Sequence, residues 1–253
     1  MNYLLGVDIG TYSSKGVLLS SHGDLVAHAE AEHDLSMPSE GHVEHDAEGV
    51  WWGDFAKITA RLLEASGVQP SDIAAVGTSG IAPCVLPVDD SGTPLRPAIL
   101  YGIDTRATAE IAWLNDELGA DWILKHARTE LDSQSAGPKI LWIRNHEPGV
   151  WARTRGIMTA STYLGYRLTG VSAIDHYTAA FYAPLYDMDS RDWSPEAMGR
   201  ICPREWLPRL AWTSEVIGNV TAGAARETGL AEGTPVIAGT ADASAEAVGA
   251  GVT

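Results

Sequence analysis

Residues 1–16 read Met1-Asn2-Tyr3-Leu4-Leu5-Gly6-Val7-Asp8-Ile9-Gly10-Thr11-Tyr12-Ser13-Ser14-Lys15-Gly16, and an apolar run continues to Leu19. Two apolar segments joined by a Gly/Ser/Thr turn predict a β-hairpin at the start of the chain. Asp8 ends the first strand, where apolar neighbours leave its carboxylate few partners other than a cation or its waters. Gly10 allows a sharp turn, and Thr11, Ser13, Ser14 and Lys15 offer amides, hydroxyls and one ammonium to an anion. Donors beside a single carboxylate suit a phosphate chain with its Mg²⁺. The bare pattern D-x-G-T is short, and a hairpin with a polar turn is its plain alternative.

The chain has 253 residues, 45% of them apolar, with 26 glycines and 13 prolines. That length can bury a substantial core as one large domain or two small ones. No run of about eighteen apolar residues predicts a membrane span. The N-terminus lacks a basic signal-peptide region and enters a strand at once, so the cytoplasm is the expected location. Cys84 and Cys202 fit no metal spacing. Seventeen Lys and Arg stand against 33 Asp and Glu, a net charge of −16. That balance argues against nucleic acid, because no basic stripe exists to neutralise a phosphate backbone.

Outward from the hairpin, Asp24 to Glu32 reads as a third antiparallel strand and His33 to His45 as a loop. His42, Glu44, His45 and Asp46 crowd together in the manner of a metal site. Asp46 stands before a helical pattern of Trp51, Phe55, Ile58 and Leu62, so loop plus N-cap is the better reading, with Gly67 as the stop. Ile73–Thr78 is a buried strand and Asp89-Asp90-Ser91-Gly92 a hairpin turn. Ala98 to Tyr101 reads as a strand, followed by a helix from about Asp104 to Gly119. Pro138 opens a helix that Pro148 bounds. Ser161 to Leu168 is a short helix, and 170–215 reads as irregular. Within it, Asp187 to Asp192 resembles a calcium loop but lacks its glycine and its acidic twelfth residue. Thr221–Thr228 is helical, Pro235–Ala238 a buried strand, Gly239-Thr240-Ala241-Asp242 a strand-to-helix turn, and Ala243–Val248 a helix. Hairpins first and strand–helix alternation later predict a mixed sheet with helices on both faces.

No P-loop, dinucleotide fingerprint, H-E-x-x-H or G-x-S-x-G is present. What remains is a pair of carboxylates at the ends of buried strands, Asp8 on the first and Asp242 on the last. Taken alone, Asp242 reads equally as a helix N-cap.

Four stretches occur in one order and spacing: Gly6 to Lys15, Leu95-Arg96-Pro97-Ala98-Ile99-Leu100-Tyr101, Pro138-Lys139-Ile140-Leu141-Trp142, and Gly239-Thr240-Ala241-Asp242. Together they resemble the FGGY carbohydrate kinases, most nearly the xylulokinase branch, over the whole chain. The resemblance implies an α/β, actin-like ATPase or ribonuclease-H-like fold, a mixed sheet flanked by helices that forms the first lobe of a two-lobe kinase. It also implies ATP-dependent phosphorylation of a sugar or polyol hydroxyl. By the same resemblance, Asp8 holds Mg²⁺ and its waters, while Gly10, Thr11, Ser13, Ser14 and Lys15 embrace the transferred phosphate. Asp242 is the general base, and Ala82, Pro83, Tyr101, Asp104, Arg106, Gln134 and Asp242 line the sugar pocket. Ala82-Pro83 departs from the Met-His of xylulokinases and the Arg-Glu of glycerol kinases, and Gln134 replaces an aromatic residue of glycerol kinases.

Family members run to roughly twice this length. Residues 1–253 are therefore expected to be the N-terminal sugar-binding domain, and the C-terminal nucleotide-binding domain lies outside this chain as its expected partner. ATP and a small sugar or polyol are the other partners implied, and a homodimer is left open. Two competing readings are a non-catalytic sugar-binding or regulatory protein that kept the fold, and an actin-like scaffold.

Overall fold

A computed structural model describes residues 2–252. The opening alternation does what its pattern demands. β1 (Tyr3–Ile9) and β2 (Ser13–Ser20) pair antiparallel, with Asp8 opposite Lys15 and Ile9 opposite Ser14. β3 (Leu25–Glu32) continues the meander on β2. The strand Ile73–Gly80 lies parallel to β1 on its other side, so Asp8 is level with Ser79. The full sheet runs Val216–Asn219, Pro235–Ile237, Ile73–Gly80, β1, β2, β3, and Thr240–Ala241 also pairs with Ile73–Gly80.

One face of this sheet carries Leu5, Val7, Ile9 and Leu18, all buried. Period-two alternation sends their side chains to the same side. Phe55, Ile58 and Leu62 of the helix Gly53–Ser66 pack on them, as does the helix Ala160–Thr169 through Ala160, Tyr163 and Leu164. The opposite face, bearing Gly6, Asp8, Lys15 and Val17, opens into a cavity of about 770 Å³ closed on its far side by the helix Asp242–Gly249. A second core gathers Ile99, Leu114, Ile123, Ile140, Tyr182 and Trp193 from the segments between the sheet strands.

Asp46 caps as expected, accepting from the amides of Glu48 and Gly49, although the turn it opens is wound wide before the helix proper begins at Gly53. Other expectations need correction. The helix foreseen from Asp104 starts at Thr108, because Asp104 is spent holding a loop. Gly119 ends that helix at its C-cap as expected, and a second helix, Ala120–Ala127, follows directly. Pro148 does bound the helix Ala136–His146, and it also starts a further short helix, Pro148–Arg153. Leu100 and Tyr101 leave the strand Ala98–Ile99. Residues 170–215 are not irregular: they hold strands Ala173–Asp175 and Arg209–Ala211 in parallel and a hairpin, Tyr186–Asp187 with Asp192–Trp193. In that hairpin Asp187 accepts from the amides of Asp189 and Ser190, a turn and not a calcium loop. The sheet strand Val216–Asn219 was not foreseen, since Gly218 and Asn219 mask its pattern.

Candidate active site

Three parallel segments end side by side. Across the strand Ile73–Gly80, Ser79 is level with Asp8 on one neighbour and with Thr240 on the other. Ligands of open α/β sheets gather at such carboxyl ends. Ser79 Oγ donates to Asp8 Oδ1 at 2.7 Å, while no donor among the described residues takes Oδ2. Burial pushes the Asp8 carboxyl above its ordinary value; the Ser79 bond offsets part of this, and the negative charges of Asp242 and Glu246 add to it. Lys15, exposed and 4.0 Å from Glu30, shares the cavity with Asp8.

The turn between β1 and β2 is tight: Gly10 N donates to Ser13 O at 3.0 Å. A Cβ on Gly10 would stand 2.6 Å from that same oxygen, so only glycine fits. Thr11 Oγ1 meets Tyr101 Oη at 2.9 Å, which ties the turn to the segment after Ala98–Ile99. Ser14 is a correction within the phosphate set. Its side chain is buried on the core face and donates to Asp54 at 2.9 Å, so its hydroxyl is not offered to a ligand.

Asp242 follows a turn that glycine makes possible. Gly239 has φ of +73° and its missing Cβ would lie 2.2 Å from Thr78 O. Thr240 and Thr213 both donate to Asp175 Oδ2, at 2.8 and 3.0 Å, and Asp175 Oδ1 accepts from Thr178 N. That buried carboxylate therefore anchors the strand that delivers Asp242. The cap position of the final helix is Ala241, without a side-chain cap; Asp242 is the first helical residue and accepts from its neighbour Ala243 N at 2.8 Å. The N-cap alternative is thus set aside. Burial raises the Asp242 carboxyl above its ordinary value, the Ala243 amide lowers it, and Glu246 one turn on raises it again.

The expected sugar-lining set divides. Ala82 and Pro83 are buried. Tyr101 is half-buried beside the phosphate turn, and Gln134 Oε1 accepts from Gly102 N. Asp104 and Arg106 are corrections: both side chains are fully buried and paired with each other. Asp104 also accepts from Val43 N at 2.6 Å, and Arg106 pairs with Glu44 and lies over the Trp142 ring. They hold the loop 41–45 instead of facing a ligand. Lys139, quoted above only as part of a motif, is buried and donates to Leu100 O and Tyr101 O, each at 2.6 Å. Burial pulls it down to about 8. A lysine inside the apolar run Ile140-Leu141 was the available signal for it. Ser79 and Asp175 were also missed: a hydroxyl at a strand end and an Asp three residues before Thr178 are weak marks.

No group of three or more His, Cys, Asp or Glu among the described residues could hold a metal ion. One carboxylate with a free oxygen over an open cavity instead fits a cation that keeps most of its waters, as Mg²⁺ does.

The fold is one that known proteins share. The xylulose kinase of Rhodospirillum rubrum superimposes with a TM-score of 0.92 at 31% identity, covering 100% of this chain and 51% of that one. The fold is therefore that of the actin-like ATPases. The xylulose kinase of Lactococcus lactis subsp. lactis is 32% identical over 100% of this chain and 50% of its own length. The glycerol kinase of Enterococcus faecalis is 30% identical over 85% of this chain and 44% of its own. Residues 3–249 match the N-terminal domain of the FGGY family of carbohydrate kinases, and the chain belongs to that family. It spans about half the length of these relatives.

Proposed function

We propose that this chain is the sugar-binding and phosphate-gripping lobe of an ATP-dependent kinase acting on a ketose or polyol of the xylulose type. The nucleotide-binding lobe is supplied by chain beyond the 253 residues. The observation that carries the reading is the juxtaposition of Asp8 and Asp242 at the ends of strands flanking Ser79, close enough for the charge of Asp242 to act on Asp8, with Asp8 on the wall of the cavity.

In this reading the turn 10–13 receives the terminal phosphate through its amides and the Thr11 and Ser13 hydroxyls, with Lys15 nearby to balance charge. Asp8 holds the cation through its free oxygen, and Mg²⁺ when bound neutralises charge on the transferred group. Asp242 accepts the proton of the attacking hydroxyl, and its raised basicity suits that task. Sugar contacts fall to the 82–83 loop, Tyr101 and Gln134. Pro83 has no amide hydrogen and Ala82 no polar side chain, so recognition rests on shape there and on hydrogen bonds elsewhere.

Closure of two lobes is required to exclude water from phosphoryl transfer. The isolated chain is expected to bind sugar weakly and Mg-ATP very weakly, with no appreciable turnover. Thermal-shift and calorimetric titration with pentoses, hexoses and polyols tests the reading. A ketose or polyol that stabilises the wild type and loses its effect in Gln134→Ala supports it; robust ATP-dependent turnover by residues 1–253 alone would contradict it.

A further inference from the structure

Two histidines stand behind the turn that the proposed function assigns to phosphate. His33 Nε2 is 3.2 Å from Gly10 O, and His45 Nε2 is 3.2 Å from Thr11 O. Each ring is oriented from its other nitrogen. Trp51 Nε1, which can only donate, meets His45 Nδ1 at 3.2 Å, so His45 is the tautomer with its proton on Nε2. Burial pulls His45 down to about 4, and the neighbouring His33 adds to this. His33 differs. Its Nδ1 lies 2.8 Å from Asp54 Oδ2, which also accepts from Ser14 Oγ at 2.9 Å. Both nitrogens of His33 thus face acceptors, a carboxylate and a carbonyl, and only the doubly protonated ring satisfies both. Asp54 Oδ2 stands as acceptor toward both the Ser14 hydroxyl and His33 Nδ1. The pair is nearly sealed, with side-chain exposures of 6% and 10%.

The consequence is a matter of peptide geometry. A trans peptide sends its carbonyl and its amide hydrogen in opposite directions, and neither peptide here is cis. Drawing Gly10 O and Thr11 O toward the two rings turns the amides of Thr11 and Tyr12 away from them. Neither amide meets an acceptor among the described residues. Two successive free amides on one side of a turn make an anion-binding concavity.

We propose that His33, held as an imidazolium against Asp54, and His45, held neutral by Trp51, form a clamp that aims the Thr11 and Tyr12 amides at the phosphate. They are positioning residues and do not touch the ligand. The other titratable groups around His33 are His45 across an edge-on ring contact of 5.1 Å, Glu32 and Asp34 beside it in sequence, and Tyr12 and Glu30 across a surface hollow. The proposal rests on the phosphate reading of the turn, and its test separates the two.

The test uses the 253-residue chain with ¹⁵N-labelled histidine rings at neutral pH. Both nitrogens of His33 should resonate as protonated, and His45 should show a proton on Nε2 alone; a singly protonated His33 would overturn the clamp. Asp54→Asn should remove one His33 ring proton while core amide shifts stay put. Sulfate, a tetrahedral dianion that does not titrate in this range, is then titrated against the amide shifts of Thr11 and Tyr12. His33→Gln should weaken that response about tenfold, and His28→Gln on the exposed strand surface should not change it. An unchanged response in His33→Gln overturns the clamp and spares the phosphate reading. Absence of any response in the wild type, with both ring states as stated, overturns the phosphate reading instead.

Discussion

Substituting Gly239 with alanine is the sharpest perturbation of the site that touches neither carboxylate. Its φ of +73° places it in the left-handed region, where a Cβ costs about 1–2 kcal/mol. The added carbon would also lie 2.2 Å from Thr78 O and 2.7 Å from Thr78 Oγ1. Reaching ordinary contact requires a shift of roughly 1 Å, and such overpacking costs about 1–3 kcal/mol. Thr78 sits in the central strand between β1 and Pro235–Ile237 and cannot yield easily. The turn must move instead, and with it Thr240, whose hydroxyl is tied to Asp175, and Asp242 beyond. Together these give a loss of about 2–5 kcal/mol, read by urea denaturation of the 253-residue chain. In the complete kinase the same 1 Å error at the base should lower kcat by about a hundredfold. A loss under about 0.5 kcal/mol, the range of an indifferent surface change, would refute the claim that this turn is wedged against Thr78.

Asp175→Asn should destabilise the chain by about 1–3 kcal/mol, because the amide keeps one acceptor oxygen and sets its NH₂ group against at least one of the three buried donors; chemical denaturation checks it. Lys139, pulled down to about 8, is more readily deprotonated folded than unfolded. Its contribution to stability should therefore rise as pH climbs from about 8 to about 10.4, and the wild type should gain on Lys139→Met across that window in paired melts. As the proposed base, Asp242 would act only when deprotonated, and burial raises its carboxyl, so kcat of the complete kinase should fall on acidification along a limb lying above the ordinary carboxylate value of about 4, as a pH–rate profile will show.

The sheet was legible where alternation and turn chemistry agreed. Tyr3–Ile9 is legible because Tyr3, Leu5, Val7 and Ile9 fall on every second position, and Ser13–Ser20 because the apolar run Val17-Leu18-Leu19 follows a turn marked by Gly10. Val216–Asn219 was hidden because half of it is Gly218 and Asn219, and its place is set by pairing with Pro235–Ile237. The candidate site divided the same way. Asp8 and Asp242 stand out as lone carboxylates after apolar strands. Asp104 and Arg106 look equally functional in the sequence, and only packing shows them buried on each other. Ser14 lost its hydroxyl to Asp54, forty residues distant in the chain. Likewise, the part His33 and His45 play depends on Asp54 and Trp51 standing behind them, which no local pattern encodes.

The central claim is that Asp242 takes the proton of the attacking hydroxyl. Asp242→Asn, made in the complete kinase carrying this lobe and assayed for ATP-dependent phosphorylation of the sugar found by titration, tests it directly. The account predicts kcat lower by about 10²–10⁴-fold with sugar binding little changed. Near-normal turnover by the asparagine variant would contradict it.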